Sequence, residues 1–140
     1  MAGETGPRHW RDRPRPFDAF DAKAEALAAL AAIAAPVDKL QVRAEAPSHF
    51  HPGQSGALCL GPKNILAHFG MLHPAIAAQL DISLPVAMAE LYLDAVPVPK
   101  QSSRSRPPNQ ASDLQSVTRD FAFLVDVETP AGLVLDAAQA

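Results

Sequence analysis

The sequence predicts an α+β fold in which helices flank an antiparallel sheet, and three observations support this class. The alanine-rich segment 18–36 places its larger apolar side chains at helical spacing. Residues 40–46 alternate between apolar and polar side chains, which is typical of a strand with one solvated face and antiparallel neighbours. The apolar runs 57–60 and 64–69 flank residues 61–64, Gly-Pro-Lys-Asn, where a proline in second position favours a hairpin turn.

The clearest predicted element is the helix within 18–36. Asp18 can cap its first turn, and Asp21 stands three residues further on, where a capping box places its second polar side chain. Pro36 ends the helix because proline cannot donate the hydrogen bond that the next turn requires. We expect one apolar stripe to form the core face of this helix: Phe20, Leu27, Leu30 and Ile33.

The segments after the hairpin predict a short helix and a buried strand. Pro74 suits the first position of a helix over 74–80, and the side chain of His73 can help to close the helix start. Residues 85–96 are almost continuously apolar. This pattern favours a central strand that is buried on both faces.

The last third of the chain differs in composition. Residues 97–113 combine proline, serine and three cations, which predicts a partly extended linker. The alternation at 121–125 predicts a strand, and Thr129 followed by Pro130 predicts the start of a helix that runs to the last residue. One strand and one helix cannot bury two phenylalanines alone, so we expect the chain to be cut within a second domain. The predicted organisation is a first domain at 1–96, a linker at 97–113 and a truncated second domain at 114–140.

Charge and composition exclude several classes of protein. The net charge of −3 at pH 7 does not indicate a nucleic-acid binder, and DNA is not an expected partner. The single cysteine, Cys59, excludes an intramolecular disulfide and fits a reducing compartment. The longest uncharged segment near the start, 26–37, is too short for a membrane span, which takes about 20 apolar residues. No apolar core follows the N-terminal arginines, so we expect a cytoplasmic protein without a signal peptide or membrane partner.

The segment RHWRDRPR at 8–15 admits two interpretations. It can be a basic arm for RNA phosphates, with Trp10 available to stack on a base. It can equally be a solvated lead-in segment, since Glu4 and Asp12 dilute its charge. The sequence favours the second interpretation.

Four histidines and the only cysteine lie within 49–74, which raises the hypothesis of a metal site. His49 and His51 share a face at strand spacing, and His-x-His on a strand is a known ligand geometry. Cys59 and His68 become diagonal neighbours if the 61–64 turn sets the register. No Cys-x-x-Cys or His-x-x-x-His spacing supplies the four ligands of a zinc site, and no carboxylate stands beside the two histidines in sequence. A structural role is therefore the favoured interpretation.

A nucleophile turn is the second hypothesis for this segment. Residues 53–57, Gly-Gln-Ser-Gly-Ala, resemble a degenerate nucleophile elbow, but an elbow places its serine between a strand and a helix. Here a predicted strand follows Ser55. We instead expect residues 51–53 to form a turn and Gly56 to allow a bend or a close backbone approach.

Several segments resemble one known family in the same order along the chain. The segments are FDAFDAKAEALAAL at 17–30, HFHPGQSGALCLGPKNILAHFGMLHPAIAAQLDI at 49–82, PVAMAELYLDAVP at 85–97 and QSVTRDFAFLVDVETPAG at 115–132. They are similar to the late part of the bacterial phenylalanyl-tRNA synthetase β subunit. The resemblance runs from about His9 to the C-terminus. Gln54, Met71 and Thr118 depart from it, because the family commonly has charged residues there.

The resemblance implies a fold and a set of partners. Residues 1–96 would belong to the catalytic-like module, which has the antiparallel architecture of class II synthetases without activating amino acid. Residues 114–140 would open the ferredoxin-like anticodon-binding domain. The expected partners are the catalytic α subunit, in an α2β2 assembly, and tRNA(Phe). The whole enzyme is a ligase that uses ATP and magnesium, whereas this chain alone would hold no cofactor, metal or catalytic residue.

The resemblance also suggests which residues touch tRNA. Arg119 is the first candidate because it flanks the strand of an RNA-binding fold, although an ordinary surface ion pair near Asp120 is an equal alternative. Arg104 and Arg106 in the linker are weaker candidates, because the cations of most such linkers are merely solvated. Two other functions stay open: a non-functional remnant without a stable fold, and a small metal-dependent enzyme that uses His49 and His51.

Overall fold

The structure is a computed structural model that describes residues 1–11, 13–98 and 114–139. The chain divides into two compact units, Met1–Gln101 and Ser102–Ala140. Nearly all of the predicted linker, including Arg104 and Arg106, lies outside the described residues. Within the described ranges, no helix combines the length and the apolar character that crossing a bilayer requires.

The first unit contains a four-stranded antiparallel sheet, which confirms the predicted α+β class. Its strands are β1 (Leu40–Arg43), β2 (Phe50–Leu60), β3 (Asn64–Leu72) and β4 (Ala87–Leu91), and they neighbour each other in chain order. The β2–β3 turn was predicted correctly. Gly61 has a φ of 73° there, in the left-handed region that glycine enters without steric cost.

Two helices accompany the sheet, α1 (Ala19–Ala32) and α2 (Pro74–Gln79). The predicted capping box at α1 is confirmed: Asp18 Oδ1 accepts the Phe20 and Asp21 amide hydrogens at 2.8 and 3.1 Å. In return, the Asp18 amide donates to Asp21 Oδ2 at 2.8 Å. At α2, His73 Nδ1 accepts the Ala75 amide hydrogen at 3.2 Å, as the sequence suggested.

The core face of α1 differs from the predicted stripe. The fully buried positions are Ala22, Ala26 and Leu30, four residues apart, and they contact the β3–β4 side of the sheet. Phe20 is 76% exposed and Ile33 is 45% exposed, so half of the predicted stripe is wrong. Small alanine side chains let the helix lie close to the sheet, and this close packing decides which face is buried.

The predicted central strand at 85–96 is also wrong. Only Ala87–Leu91 is a strand, and it forms one edge of the sheet. Packing on one face accounts for its apolar character, and backbone pairing covers the start of its outer edge. One face of β4 packs toward α1, and the start of its outer edge meets the first residues of the chain through the Ala87 amide, which donates to the Met1 carbonyl at 2.8 Å.

A bulge interrupts β2 where a turn was predicted at 51–53. The pairing of β2 with β3 shifts between Phe50 and Ser55. The close backbone approach expected at Gly56 is confirmed, because a Cβ there would lie 2.9 Å from the Arg43 carbonyl oxygen. Gly70 faces the bulge with a φ of 150°, and a Cβ there would lie 2.5 Å from the Gln54 carbonyl oxygen.

The second unit contains one described helix, α3 (Ala131–Gln139), directly after Pro130 as predicted. The strand predicted at 121–125 is absent from the described residues. Its phenylalanines are exposed, and their rings stack with centroids 6.3 Å apart. A strand needs a hydrogen-bonding partner, and no described segment of this unit provides one.

Candidate interaction surfaces

An open apolar groove lies where the start of α1 meets β1 and the β2 bulge. Its volume is about 490 Å³. We call it the docking groove; the residues that line it are Asp18, Ala19, Phe20, Lys23, Val42, Gly53, Gln54, Ser55 and Phe69. Phe20 and Val42 are both more than half exposed on it. The polar side chains, by contrast, belong to the helix start and the bulge.

A second cleft, of about 370 Å³, shares Gln54 with the docking groove. Its other walls are the end of β3, the helix α2 and the chain that leads into β4. Ile82, Leu84 and Val86 are among its apolar residues. The bulge of β2 is therefore bordered by apolar surface on both sides.

The polar side chains of the β2 bulge form hydrogen bonds with the backbone of the bulge itself. The Ser55 hydroxyl donates to the His51 carbonyl at 2.6 Å, and His51 Nδ1 accepts the Gly53 amide hydrogen at 3.1 Å. Ser55 lies within β2 rather than at a helix start. These contacts stabilise an irregular strand and do not form a nucleophile elbow.

Four polar side chains lie together beside paired positions of β3 and β4, where His68 is opposite Glu90. We call this group the polar cluster; it comprises His49, His68, Glu90 and Tyr92. His49 Nε2 lies 2.9 Å from Glu90 Oε1, and the Tyr92 hydroxyl lies 2.8 Å from His68 Nδ1. The Tyr92 hydroxyl also donates to Glu90 Oε2 at 3.4 Å. Along the sequence, no carboxylate stands beside His49, as expected. In the fold, however, His49 contacts Glu90, which is 41 positions away.

Burial shifts the pKa of two members of this cluster, His68 and Tyr92. His68 is 8% exposed, and burial lowers its pKa, although the charges of Glu90 and Glu45 oppose the shift. Burial, with Glu90, raises the pKa of Tyr92. The cluster therefore contains a neutral Tyr92 and a His68 that resists protonation.

The metal hypothesis is not favoured by this geometry. Among the described residues, no three His, Cys, Asp or Glu side chains are grouped so that they could hold a metal ion. His49 contacts Glu90, whereas His51 contacts its own strand backbone. Cys59 is fully buried and pairs with Gln41 and Ile65, and His68 lies opposite Ala57.

Arg119 is exposed in the second unit. It lines a shallow apolar cleft of about 540 Å³, which Phe121 and Phe123 form with residues of α3. No carboxylate among the described residues forms an ion pair with it. Its role in RNA contact stays a prediction, and Arg104 and Arg106 lie outside the described residues.

The residues before α1 form a closed arm. The Thr5 amide donates to the Arg15 carbonyl at 2.8 Å, and Arg15 holds Asp21 through both terminal nitrogens at 2.7 Å each. The Arg15 guanidinium, together with the Asp18 amide, lowers the pKa of Asp21 to about 2. We call residues 5–11 and 13–15 the N-terminal arm.

Comparison with known proteins assigns the sequence to a class, the subunits of aminoacyl-tRNA synthetases. The family model described as phenylalanyl tRNA synthetase beta chain CLM domain matches residues 1–93. The chain belongs to the phenylalanyl-tRNA synthetase β chain family.

Three relatives are named phenylalanine–tRNA ligase beta subunit. The protein of Novosphingobium aromaticivorans is 55% identical over 99% of this chain and 18% of its own length. Those of Zymomonas mobilis and Rhodospirillum rubrum are 49% and 48% identical, over 94% and 99% of this chain. The chain spans less than a fifth of the length of these relatives.

Proposed function

We propose that this chain acts as part of a phenylalanine–tRNA ligase β subunit. In this role it docks to the catalytic α subunit of an α2β2 assembly and helps to position tRNA(Phe), while it catalyses no step itself. ATP and magnesium serve the whole enzyme, in the cytoplasm. Under this proposal residues 1–96 are a class II synthetase-like module and 97–113 a linker. Residues 114–140 are then the start of a ferredoxin-like anticodon-binding domain.

The docking groove is the observation that carries the α-subunit part of the proposal. Phe20 and Val42 expose apolar surface in the same groove. Alanines occupy buried positions of α1, whereas the much larger Phe20 side chain stays exposed. Exposed apolar surface that polar residues surround is typical of a protein interface. Lys23 and Gln54 stand beside the apolar residues and can supply such a polar rim.

Capture by a tagged α subunit from the same source tests the docking. The unaltered chain should co-purify at equal stoichiometry. Phe20→Ser should weaken capture at least tenfold, because aromatic anchors in apolar pockets dominate interface energies. Ile33→Ser is the matched control, since Ile33 is exposed near the other end of α1 and lines neither cleft. Failure of a soluble chain to be captured would overturn the proposal and favour a remnant.

The tRNA part of the proposal rests on exposed cations. Of the three candidates, Arg119 is the one that lies within the described residues. A phosphate contact contributes through counterion release, so its loss changes the salt dependence of binding. Arg119→Gln should reduce the slope of log affinity against log salt by about 1. Lys39→Gln, at an exposed position of the first unit, serves as the control. Equal slopes for both variants would remove Arg119 from the tRNA contacts.

A further inference from the structure

We propose that the N-terminal arm is a contact site for single-stranded RNA, in which Trp10 stacks on an unpaired base and Arg8, Arg11 and Arg13 meet the neighbouring phosphates. This inference adds a site to the proposed function and rests on it for the RNA partner. The arm belongs to the first unit, whereas Arg119 belongs to the second. Its evidence is independent of the docking groove, because no arm residue lines that groove.

Trp10 is the most exposed large hydrophobic side chain among the described residues of the first unit. It is 89% exposed, and its only described ring neighbour is His9, whose centroid lies 5.4 Å away at an angle of 40°. Tryptophan has a large apolar surface that stays in water here. A nucleobase offers a flat apolar face of matching size, and stacking on aromatic side chains is how single strands are commonly held.

The arginines of the arm fall into two groups. Arg15 contacts Asp18 and Asp21 and so anchors the base of the arm to α1. Arg8, Arg11 and Arg13 are exposed, and no carboxylate among the described residues forms an ion pair with them. Arg15 is thus paired locally, whereas the guanidinium groups of Arg8, Arg11 and Arg13 are exposed to solvent, where an external anion can reach them.

The arm has a defined shape at its base. The Thr5 hydroxyl accepts the Arg15 amide hydrogen at 3.3 Å, and the Phe17 amide donates to the Gly3 carbonyl at 3.1 Å. These bonds hold the two ends of the arm together, and Trp10 lies midway between Thr5 and Arg15 along the chain. A closed arm loses less conformational entropy on binding than a free tail would lose.

The chemistry fits a single-stranded nucleic acid better than a duplex or a membrane. Bases in a duplex are stacked on one another and do not offer a free face to a side chain. A membrane surface needs a large apolar face together with its cations, and the arm has one exposed aromatic residue. The whole chain carries a net charge of −3, so an anion is attracted by local groups of cations and not by the overall charge.

The sequence contains one tryptophan, so its fluorescence reports on the arm alone. Titration of the full chain with a short oligoadenylate should quench Trp10 saturably. In anisotropy measurements with the labelled oligonucleotide, Trp10→Ala should weaken binding roughly five- to 150-fold, the effect of one lost stacking contact. Trp10→Phe should retain most of the affinity. Because Trp10 is exposed, circular dichroism should show all these variants equally folded.

A pair of double variants tests the cations. Arg8→Gln with Arg11→Gln should reduce the slope of log affinity against log salt by about 1.4, which is the value for two phosphate contacts on a single strand. Lys39→Gln with Lys63→Gln removes the same charge from exposed positions elsewhere in the first unit and should leave the slope unchanged. Equal slopes for the two doubles would overturn the proposal.

Other outcomes overturn the proposal as clearly. RNA binding without quenching, or with the same affinity for Trp10→Ala, would place the RNA elsewhere. Quenching by anionic phospholipid vesicles but not by oligoadenylate would make the arm a membrane contact. Quenching by the α subunit alone would make it a protein contact. Failure of α-subunit capture with intact quenching would instead sink only the docking proposal.

Discussion

Arg15 and Asp21 form a bidentate ion pair, with each terminal nitrogen 2.7 Å from a different carboxylate oxygen. The same carboxylate accepts the Asp18 amide hydrogen at 2.8 Å. One side chain therefore completes the capping box of α1 and also fixes the base of the N-terminal arm. The closure of the arm and the cap of α1 both depend on the charge of Asp21.

The pH dependence of this junction follows from the Asp21 pKa, which is lowered from 3.8 to about 2. A carboxylate with a lowered folded-state pKa stabilises the fold above its unfolded value and loses that contribution as pH falls through the folded value. We expect the junction to weaken between about pH 4 and pH 2. A carbon-detected NMR titration of the Asp21 carboxyl group measures its pKa directly.

Two variants separate this junction from general acid unfolding. Asp21→Asn should remove part of the loss of stability between about pH 4 and pH 2, because the residue no longer titrates. Asp81→Asn is the control: Asp81 has a φ of 54°, which asparagine tolerates, and it forms no ion pair with a described residue. Identical acid profiles for the two variants would contradict the assignment.

The corrected core face of α1 predicts unequal effects for two apolar residues. Leu30→Ala should lower the free energy of unfolding by about 3 kcal/mol, because a fully buried leucine leaves a cavity. Ile33→Ala should change it by less than about 0.5 kcal/mol, since that side chain is substantially exposed. Urea denaturation measures both. A larger loss for Ile33→Ala would restore the stripe that periodicity alone suggested.

Gly70 should be the least replaceable glycine of the sheet. A Cβ there would lie 2.5 Å from the Gln54 carbonyl oxygen, and φ is 150°. Strain and overpacking together should cost Gly70→Ala about 3 kcal/mol. Gly53→Ala, on the bulge itself, meets nothing closer than 3.8 Å and should stay within about 0.5 kcal/mol. Thermal denaturation of both variants measures this difference. Equal midpoints would refute the predicted close approach.

His68 should make stability depend on pH near neutrality. Its pKa is lowered by burial, so the unfolded state binds the proton more readily. Stability should be complete above the ordinary value of 6.5 and should decline as pH falls below it toward the folded-state value. Denaturation midpoints across this range should lose part of their slope in His68→Asn. An unchanged slope would assign the titration to another histidine.

Local patterns in the sequence were sufficient for several elements. The capping box of Asp18 and Asp21, the hairpin around Gly61 and the His73 cap each depend on residues within a few positions, and all three were predicted. The approach at Gly56 also followed from residue type. Such features are predictable because backbone geometry and local hydrogen bonds determine them.

Long-range packing decided what the sequence did not reveal. A periodicity analysis ranks Phe20 above any alanine, because alanine is only weakly hydrophobic. Ala22 and Ala26 are nevertheless buried, because their small side chains permit a close contact between helix and sheet. The contact between His49 and Glu90 joins residues 41 positions apart and has no local signal. The strand predicted around Phe121 and Phe123 failed for a related reason, because a strand depends on a partner that no local pattern supplies.

Cys59 lies in the interior of the sheet, fully shielded, with β1 on one side and β3 on the other. A thiol in this position can meet a reagent only when the strands around it separate. Because the sequence has a single cysteine, the rate of thiol modification under native conditions would measure how often the central strands open. The native Cys59 thiol thus reports how often the sheet opens, without any introduced label.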